Sequence, residues 1–252
     1  MSDTPVRTAH DGAVCTITLD SPANRNALSR ALVDGLRAAL EAAERDGDVR
    51  VVVLQAEGPA FCAGADLKEA AGADAEAQAA TSRRMLALFR AIAALSAPVI
   101  ARVHAPVRAG GIGIVAACDI AVVSTDASFA LGEVRLGLAP AIISTVVVPR
   151  LTDRTASHLL LSGQTFDGAH AAEIGLVTSA VEAAALDSEI TAIAEALAAS
   201  PAQGLEETKR LLNRPLLDRI DRDGGDMTQL SARLFQSDTA QEHFRHFLDR
   251  GR

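Results

Sequence analysis

The sequence contains no tryptophan and no tyrosine, and its aromatic side chains are limited to seven phenylalanines. Aromatic platforms on which nucleic-acid bases stack are therefore scarce. Positive charge is also in short supply, because 24 Lys and Arg face 32 Asp and Glu, for a formal net charge of -8. Nucleic acids and anionic membranes attract concentrated positive charge, so the composition predicts neither as a partner.

Long apolar runs and paired cysteines are missing as well. The apolar runs at residues 51–54 and 145–149 are far shorter than the roughly 20 residues that span a bilayer. The N-terminal segment lacks a basic start followed by an apolar run, so we expect no signal peptide. Cys15, Cys62 and Cys118 are odd in number and lie among apolar neighbours. They favour reduced core thiols in a cytoplasmic protein over a disulfide framework or a zinc site.

What the sequence does contain is apolar periodicity, since 49% of its 252 residues are hydrophobic. Strands are predicted at residues 13–19, 51–55, 98–104, 119–124 and 176–180, and helices at 29–44, 75–95 and 112–117. This alternation predicts an α/β fold with parallel strands joined by right-handed crossovers. From residue 187 onward three successive apolar patterns predict helices only. We therefore divide the chain into an α/β core, residues 1–190, and a helical C-terminal region, residues 191–252.

Residues 109–119 read AGGIGIVAACD and match the G-x-G-x-x-A pattern of dinucleotide-binding turns. In that pattern the first glycine opens directly from a strand, and an acid follows about 20 residues on. Here APVRA intervenes and Asp126 comes early, so the sequence argues against the alternative of an NAD oxidoreductase that binds nucleotide at Gly111 and Gly113. What remains is a turn of small residues that lets a ligand approach free backbone N–H groups.

A second turn of small residues, FCAGAD at 61–66, also follows a predicted strand and precedes a helix. Two neighbouring turns of this kind favour an oxyanion hole, in which two N–H groups converge on one developing negative oxygen. The alternative is that both turns are small for packing alone. A carboxylate follows them in FALGEVRLGL, where burial of Glu133 would raise its pKa and suit it to acid/base work. Its alternative is an exposed ion pair with Arg135 on one strand face.

FCAGADLKE, AGGIGIVAACDIAVVS and FALGEVRLGLAP, in this order and spacing, resemble the crotonase (enoyl-CoA hydratase/isomerase) superfamily, and NRNALS and AAEIGLV fit its pattern at either end. The resemblance covers nearly the whole core. It implies a crotonase-type spiral of ββα units, a helical C-terminal region that mediates homotrimers or hexamers (dimers of trimers), and a coenzyme A thioester as substrate. It implies no metal or redox cofactor, because coenzyme A is part of the substrate.

The same resemblance implies roles for individual residues. The backbone N–H groups of Ala65 and Gly110 would hold the thioester oxygen as it becomes an enolate, and Glu133 matches the general acid/base carboxylate. Arg25 and Lys209 lie where family members often place a basic residue toward the CoA phosphates. The positions that would bind substrate or CoA are Arg25, Ala63, Ala65, Asp66, Leu67, Arg108, Gly111 and Lys209.

The sequence departs from the pattern of typical hydratases at two points. The second glutamate of those enzymes would fall at Gly113, and residues 140–144 lack the glycines of the family's loop. The absence of any acid between Arg135 and Arg150 argues against the dienoyl-CoA isomerase branch. Hydration and double-bond isomerisation both remain open with one carboxylate, and a non-catalytic acyl-CoA binding protein is a further alternative. EVRLGLAPAIIS resembles methylglutaconyl-CoA hydratase-like members, which favours hydration.

Arg108 lies just before the expected oxyanion glycine, in a loop that is otherwise small and apolar. One hypothesis is that its guanidinium pairs with a carboxylate on the acyl chain of the substrate. The other is that it bonds a nearby backbone carbonyl or Glu133.

Overall fold

The computed structural model describes residues 4–70 and 73–243, apart from the side chain of Leu67. Numbered along the chain, the strands of this part are β1 (Val6–Asp11), β2 (Val14–Leu19), β3 (Val51–Ala56), β4 (Val99–Val103), β5 (Val107–Arg108), β6 (Ile120–Ser124), β7 (Ser128–Ala130), β8 (Thr165–Asp167) and β9 (Ser179–Val181). One sheet has the order β1-β2-β3-β4-β6-β9, and a smaller sheet has the order β5-β7-β8.

Helices connect the strands and form the C-terminal region. Up to residue 235 the α-helices are α1 (Arg30–Arg45), α2 (Leu67–Ala70), α3 (Ala75–Ala94), α4 (Gly110–Ala117), α5 (Ala141–Val147), α6 (Asp153–Ser162), α7 (Gly168–Glu173), α8 (Leu186–Ala198) and α9 (Ala202–Phe235), and residues 238–243 are also helical. Within that part of the chain, no helix combines the length and apolarity needed to cross a bilayer.

The predicted parallel core is confirmed, because β2, β3, β4, β6 and β9 pair in parallel. The larger layer of the core lies between this sheet and helices α1, α3 and α4. On the opposite face, Val53 and Val122 pack with Leu186 and Ile190 of α8. Burial on both faces explains why VVVL in β3 is continuously apolar. The expected helix cap is also present, since the side chain of Ser29 accepts a hydrogen bond from the N–H of Leu32.

The structure differs from the sequence-based expectation in three elements. Strand β1 was not predicted, because most of this edge strand is exposed and carries few apolar residues. The last patterns expected as separate helices after residue 200 belong to the single helix α9, which continues through Pro215. Pro215 is exposed, so the carbonyl group that it leaves without a donor faces solvent. Glu133 begins a short 3₁₀ helix, Glu133–Leu136, rather than lying in a strand.

The expected division of the chain near residue 190 falls inside α8, which packs on the main sheet. The three cysteines are buried and unbridged, in agreement with core thiols.

Candidate functional site

The two turns of small residues lie against each other. The N–H of Arg108 donates to the carbonyl of Cys62 at 2.9 Å, which ties the start of the second turn to the first. A Cβ placed on Gly64 would come within 3.0 Å of the Cβ of Ala109 and 3.1 Å of the carbonyl oxygen of Arg108. Gly64 also has a φ of +86°, a conformation that favours glycine. The small residues therefore let two loops approach at backbone distance.

The two N–H groups expected to bind the thioester oxygen, those of Ala65 and Gly110, lie in these two loops. Leu28 pairs with Ala65 in an isolated parallel bridge. In this bridge the N–H of Leu28 donates to the carbonyl of Gly64 at 2.8 Å, so the N–H of Ala65 is not used. Gly110 is the first residue of α4, where an N–H has no partner within the helix. Among the described residues, neither N–H donates a hydrogen bond to a protein acceptor. Two adjacent, unused donors are what an oxyanion needs.

Ala109 holds the Gly110 turn in a strained conformation. Its φ of +46° and ψ of -118° lie outside the regions that alanine favours. The N–H of Ala109 donates to the carbonyl of Ala130 at 3.1 Å, which fixes this conformation against β7. Strain of this kind costs on the order of 1–3 kcal/mol and occurs where the surrounding structure imposes it. This backbone conformation fixes the orientation of the peptide group between Ala109 and Gly110, and therefore the direction of the Gly110 N–H.

Glu133 reaches the same region from β7. Two residues separate it from Ala130, whose carbonyl holds the Gly110 loop. Its Oε2 is shielded from solvent and has no hydrogen-bond partner in the described part of the chain. Burial raises the pKa of Glu133 to about 7, although a hydrogen bond from its own backbone opposes the shift. The alternative of an exposed ion pair with Arg135 is not seen, because Arg135 donates to the carbonyl of Ser162.

The two other glycines of the turn, Gly111 and Gly113, are required by close packing against neighbouring side chains. A Cβ on Gly111 would come within 2.7 Å of the Cβ of Cys62, and a Cβ on Gly113 within 2.4 Å of the Cζ of Phe89. Phe89 is fully buried. The place where a longer side chain at position 113 would lie is therefore occupied by an aromatic ring. This packing also accounts for the resemblance to a dinucleotide pattern.

Comparison with known proteins identifies the family. The model of the enoyl-CoA hydratase/isomerase family matches residues 9–252. The chain belongs to this family. A crystal structure of an enoyl-CoA hydratase from Mycobacterium avium is 45% identical and superposes with a TM-score of 0.92, over 98% of this chain and 97% of that chain. The crotonase-type fold that the sequence predicted is thus confirmed.

Two curated relatives of this chain carry names that denote different reactions. A putative enoyl-CoA hydratase from Thermus thermophilus is 34% identical over 80% of this chain and 81% of its own length. A 4-chlorobenzoyl coenzyme A dehalogenase-2 from Arthrobacter sp. is 33% identical over 82% of this chain and 78% of its own length. Identity at this level establishes the family and leaves the reaction to be argued from the site.

The structure places most of the expected CoA-binding residues around the first loop. The carbonyl of Arg25 accepts a hydrogen bond from the N–H of Ala63 at 3.0 Å, and the Arg25 side chain is exposed. The Oδ1 of Asp66 accepts hydrogen bonds from the N–H groups of Lys68 and Glu69, so its carboxylate caps the N-terminus of α2. Ala65 is exposed beside them. Leu67 lies in α2, but its side chain is outside the described residues.

Lys209 has a different place from the one expected, and this assignment needs correction. Its side chain is buried, and its Nζ lies 2.8 Å from the Oδ2 of Asp119. The same nitrogen donates to the carbonyls of Ile92 and Ala97 at 3.0 and 2.9 Å. All three donors of the ammonium are thereby used. None is left for a CoA phosphate, and Lys209 instead joins α9 to the end of α3.

Arg108 bonds backbone carbonyls and does not reach Glu133. Its Nη1 donates to the carbonyls of Val107 and Ser128 at 2.9 and 2.6 Å, and its Nη2 donates to the Oγ of Ser128 at 2.9 Å. Desolvation lowers the pKa of this half-buried guanidinium. Of the alternatives weighed from the sequence, the structure shows the backbone contact.

Sequence reasoning missed Asn26, which holds the first loop in place. Asn26 is fully buried and has a φ of +53°, a conformation that asparagine tolerates better than most residues. Its Nδ2 donates to the carbonyls of Glu57 and Ala60, and its Oδ1 accepts from the N–H of Ser21. The available signal was the second of two asparagines in NRNALS, in a loop where polar residues are common.

Proposed function

We propose that the chain is an enoyl-CoA hydratase that adds water across the double bond of a 2-enoyl-CoA thioester, with Glu133 as its only acid/base group. The observation that carries the proposal is the shielded, unpartnered Oε2 of Glu133, with a pKa of about 7, three residues beyond Ala130, whose carbonyl accepts a hydrogen bond from the N–H of Ala109, the residue before Gly110. A general base is most effective when its pKa lies near the working pH. The 45% identical enoyl-CoA hydratase supports the choice of hydration.

In the proposed reaction, the thioester oxygen accepts hydrogen bonds from the N–H groups of Ala65 and Gly110. The Glu133 carboxylate takes a proton from water as the water oxygen bonds to the β-carbon, and the electrons of the double bond move to the thioester oxygen. Protonated Glu133 then returns the proton to the α-carbon, and the thioester carbonyl forms again. One donor of this kind is typically worth about 3 to 4 kcal/mol in the transition state. The chemistry requires no metal or redox cofactor, because coenzyme A arrives with the substrate.

A second candidate, double-bond isomerisation, is favoured by Phe89. A single carboxylate shuttles a proton between the α- and γ-carbons without water, and the apolar ring against Gly113 leaves no room there for a second water-binding acid. Both candidates depend on the same enolate and the same Glu133. Alternatively, the chain binds acyl-CoA without turnover.

One assay separates these candidates. The loss of ultraviolet absorbance of the conjugated thioester reports hydration, measured with crotonyl-CoA, longer 2-enoyl-CoAs and 3-methylglutaconyl-CoA. We expect activity that falls by about 10²- to 10⁴-fold in Glu133→Gln while acyl-CoA binding persists. Conjugation that appears only from a 3-enoyl-CoA would favour the isomerase. Binding without either change would favour the non-catalytic protein.

The partners and location belong to the same proposal. We expect a homotrimer or hexamer, supported by Leu211 and Leu212, whose side chains on α9 are 73% and 68% exposed. Light scattering after size-exclusion chromatography measures this directly, and a monomer at micromolar concentration would contradict it. The buried, unbridged thiols favour a reducing compartment, which we take to be the cytoplasm.

A further inference from the structure

The Arg108 side chain joins the two strands that lead into the two halves of the site. Strand β5 ends at Arg108, and Gly110 follows two residues later. Strand β7 ends at Ala130, and Glu133 follows three residues later. The guanidinium extends from β5 to the carbonyl and the hydroxyl of Ser128, the first residue of β7. It therefore connects the backbone that carries the enolate donor to the backbone that carries the acid/base group.

The direct ladder between these two strands is short, although β7 also pairs with β8 and β5 also bonds to Cys62. The β5–β7 ladder consists of two residue pairs, Val107 with Phe129 and Arg108 with Ala130. Two-residue ladders offer few hydrogen bonds, so this ladder by itself gives little resistance to a shift of one strand along the other. The forked side chain adds bonds at 2.6 and 2.9 Å between the two strands, near the beginning of the ladder. The Ala109 N–H, which donates to Ala130, closes the other end.

The chemistry of the contact suits arginine and not lysine. A planar guanidinium donates from two nitrogens at fixed geometry, whereas a lysine ammonium is a single point on a flexible stem. Within the described ranges, the contacts of the Arg108 guanidinium are to backbone carbonyls and to the Ser128 hydroxyl, and no carboxylate is among them. Its charge is instead placed against backbone oxygens in a half-buried position. Partial burial of a cation without an ionic partner costs desolvation free energy, so the position indicates a role for the hydrogen bonds of Arg108 rather than for its charge.

We propose that Arg108 is a positioning residue, which fixes the distance between the Gly110 N–H and the Glu133 carboxylate through its contacts with Ser128. The proposal rests on the proposed function of this pair. It predicts that loss of the fork disturbs the transition state more than substrate binding, because a displacement of about 1 Å costs on the order of 10²-fold in rate.

The chain offers a matched control in Arg150. Its Nε and Nη2 donate to the carbonyls of Ala116 and Cys118, at the far end of α4 from Gly110. Arg150→Lys removes a similar fork on backbone carbonyls without touching either strand of the small sheet. Arg108→Lys, Arg108→Met and Ser128→Ala form the test set, with melting temperatures measured for all four variants.

The readouts are kcat, the dissociation constant of a saturated acyl-CoA, and exchange of its α-proton in D₂O. We expect kcat and the exchange rate to fall by about 10- to 100-fold in Arg108→Met, with Arg108→Lys little better and Ser128→Ala intermediate. The dissociation constant should change by less than threefold in all variants. Arg150→Lys should keep the wild-type kcat and exchange rate even where its melting temperature falls as much as that of Arg108→Met. Rates in Arg108→Met that match those of Arg150→Lys would overturn the proposal.

Two other outcomes have separate meanings. A loss confined to substrates with a carboxylate on the acyl chain would replace positioning by recognition of that carboxylate. If the wild-type protein exchanges the α-proton but neither hydrates nor isomerises any enoyl-CoA, the proposed function is contradicted. The role of Arg108 is then still tested by the exchange rates of the variants. Absence of exchange in the wild type would contradict the Gly110–Glu133 pair itself, and with it the role of Arg108.

Discussion

The ring of Phe89 occupies the space in front of Gly113, where an added Cβ would come within 2.4 Å of the ring's Cζ. Phe89 is fully buried on α3, and Gly113 lies in the middle of α4. The two positions are therefore coupled: a side chain at 113 requires a smaller residue at 89. This relationship explains physically why position 113 has no room for a second acid.

The coupling of these positions is testable by unfolding. Gly113→Glu should destabilise the fold severely, because a fully buried ring cannot move aside, and overpacking typically costs about 1–3 kcal/mol or more. Phe89→Ala alone should cost about 3–5 kcal/mol through its cavity. We expect the double variant to lose less than the sum of the two, as measured in urea. Gly204→Ala, whose Cβ would meet nothing within 4 Å, is the control and should stabilise slightly. Simple additivity would contradict the coupling.

The side chain of Leu28 leaves no room for a Cβ at Gly110. A Cβ there would come within 2.6 Å of the Leu28 Cδ1, the end of a flexible side chain. We expect Gly110→Ala to lower kcat by about 10- to 100-fold by displacing the donor N–H. Adding Leu28→Ala should restore part of the rate. No restoration, with the fold intact by circular dichroism, would show that the glycine is needed for another reason.

The rate should depend on pH through Glu133. Hydration requires the carboxylate form, and burial raises its pKa to about 7. We therefore expect kcat/KM to rise about tenfold per pH unit below pH 7 and to level off above it. The residual rate of Glu133→Gln should show no such step. A wild-type profile that is flat from pH 5 to 8 would mean that Glu133 does not act as the base.

The same shift has a consequence for stability. The pKa of Glu133 lies above its ordinary value of 4.5 in the folded chain, so the unfolded chain holds fewer protons between pH 4.5 and about 7. The contribution of this group to the free energy of unfolding therefore falls as pH rises through that window. Glu133→Gln should raise the melting temperature more at pH 8 than at pH 4. Glu195→Gln, at an exposed position, should show no such difference.

Lys209 should matter for stability and not for CoA. Lys209→Met leaves the partly buried Asp119 without its ammonium partner, and we expect a loss of about 3 kcal/mol in the free energy of unfolding. Arg210→Met changes the neighbouring, exposed residue of α9 and should cost less than about 0.5 kcal/mol. The dissociation constant of acyl-CoA should be unchanged in both. Weakened CoA binding in a folded Lys209→Met would restore the role that the sequence suggested.

The sequence by itself determined the parallel α/β core, because strand runs such as VVVL and the helical spacing of α1 and α3 are local patterns. It also determined the order of the motifs around Ala65, Gly110 and Glu133, since small turns and a lone carboxylate are visible without contacts. Strand β1 escaped prediction, because an exposed edge carries little apolar signal. The continuous helix α9 escaped it as well, because a proline tolerated on the solvent side resembles a break.

Only the tertiary structure decided the roles that depend on partners. Lys209 and Arg108 are both basic residues in the sequence, but one neutralises Asp119 in the interior and the other holds Ser128 across two short strands. Whether a charge is free, paired or bound to backbone depends on groups distant along the chain. The same holds for Gly113, since only the packing of α3 on α4 brings Phe89 against it.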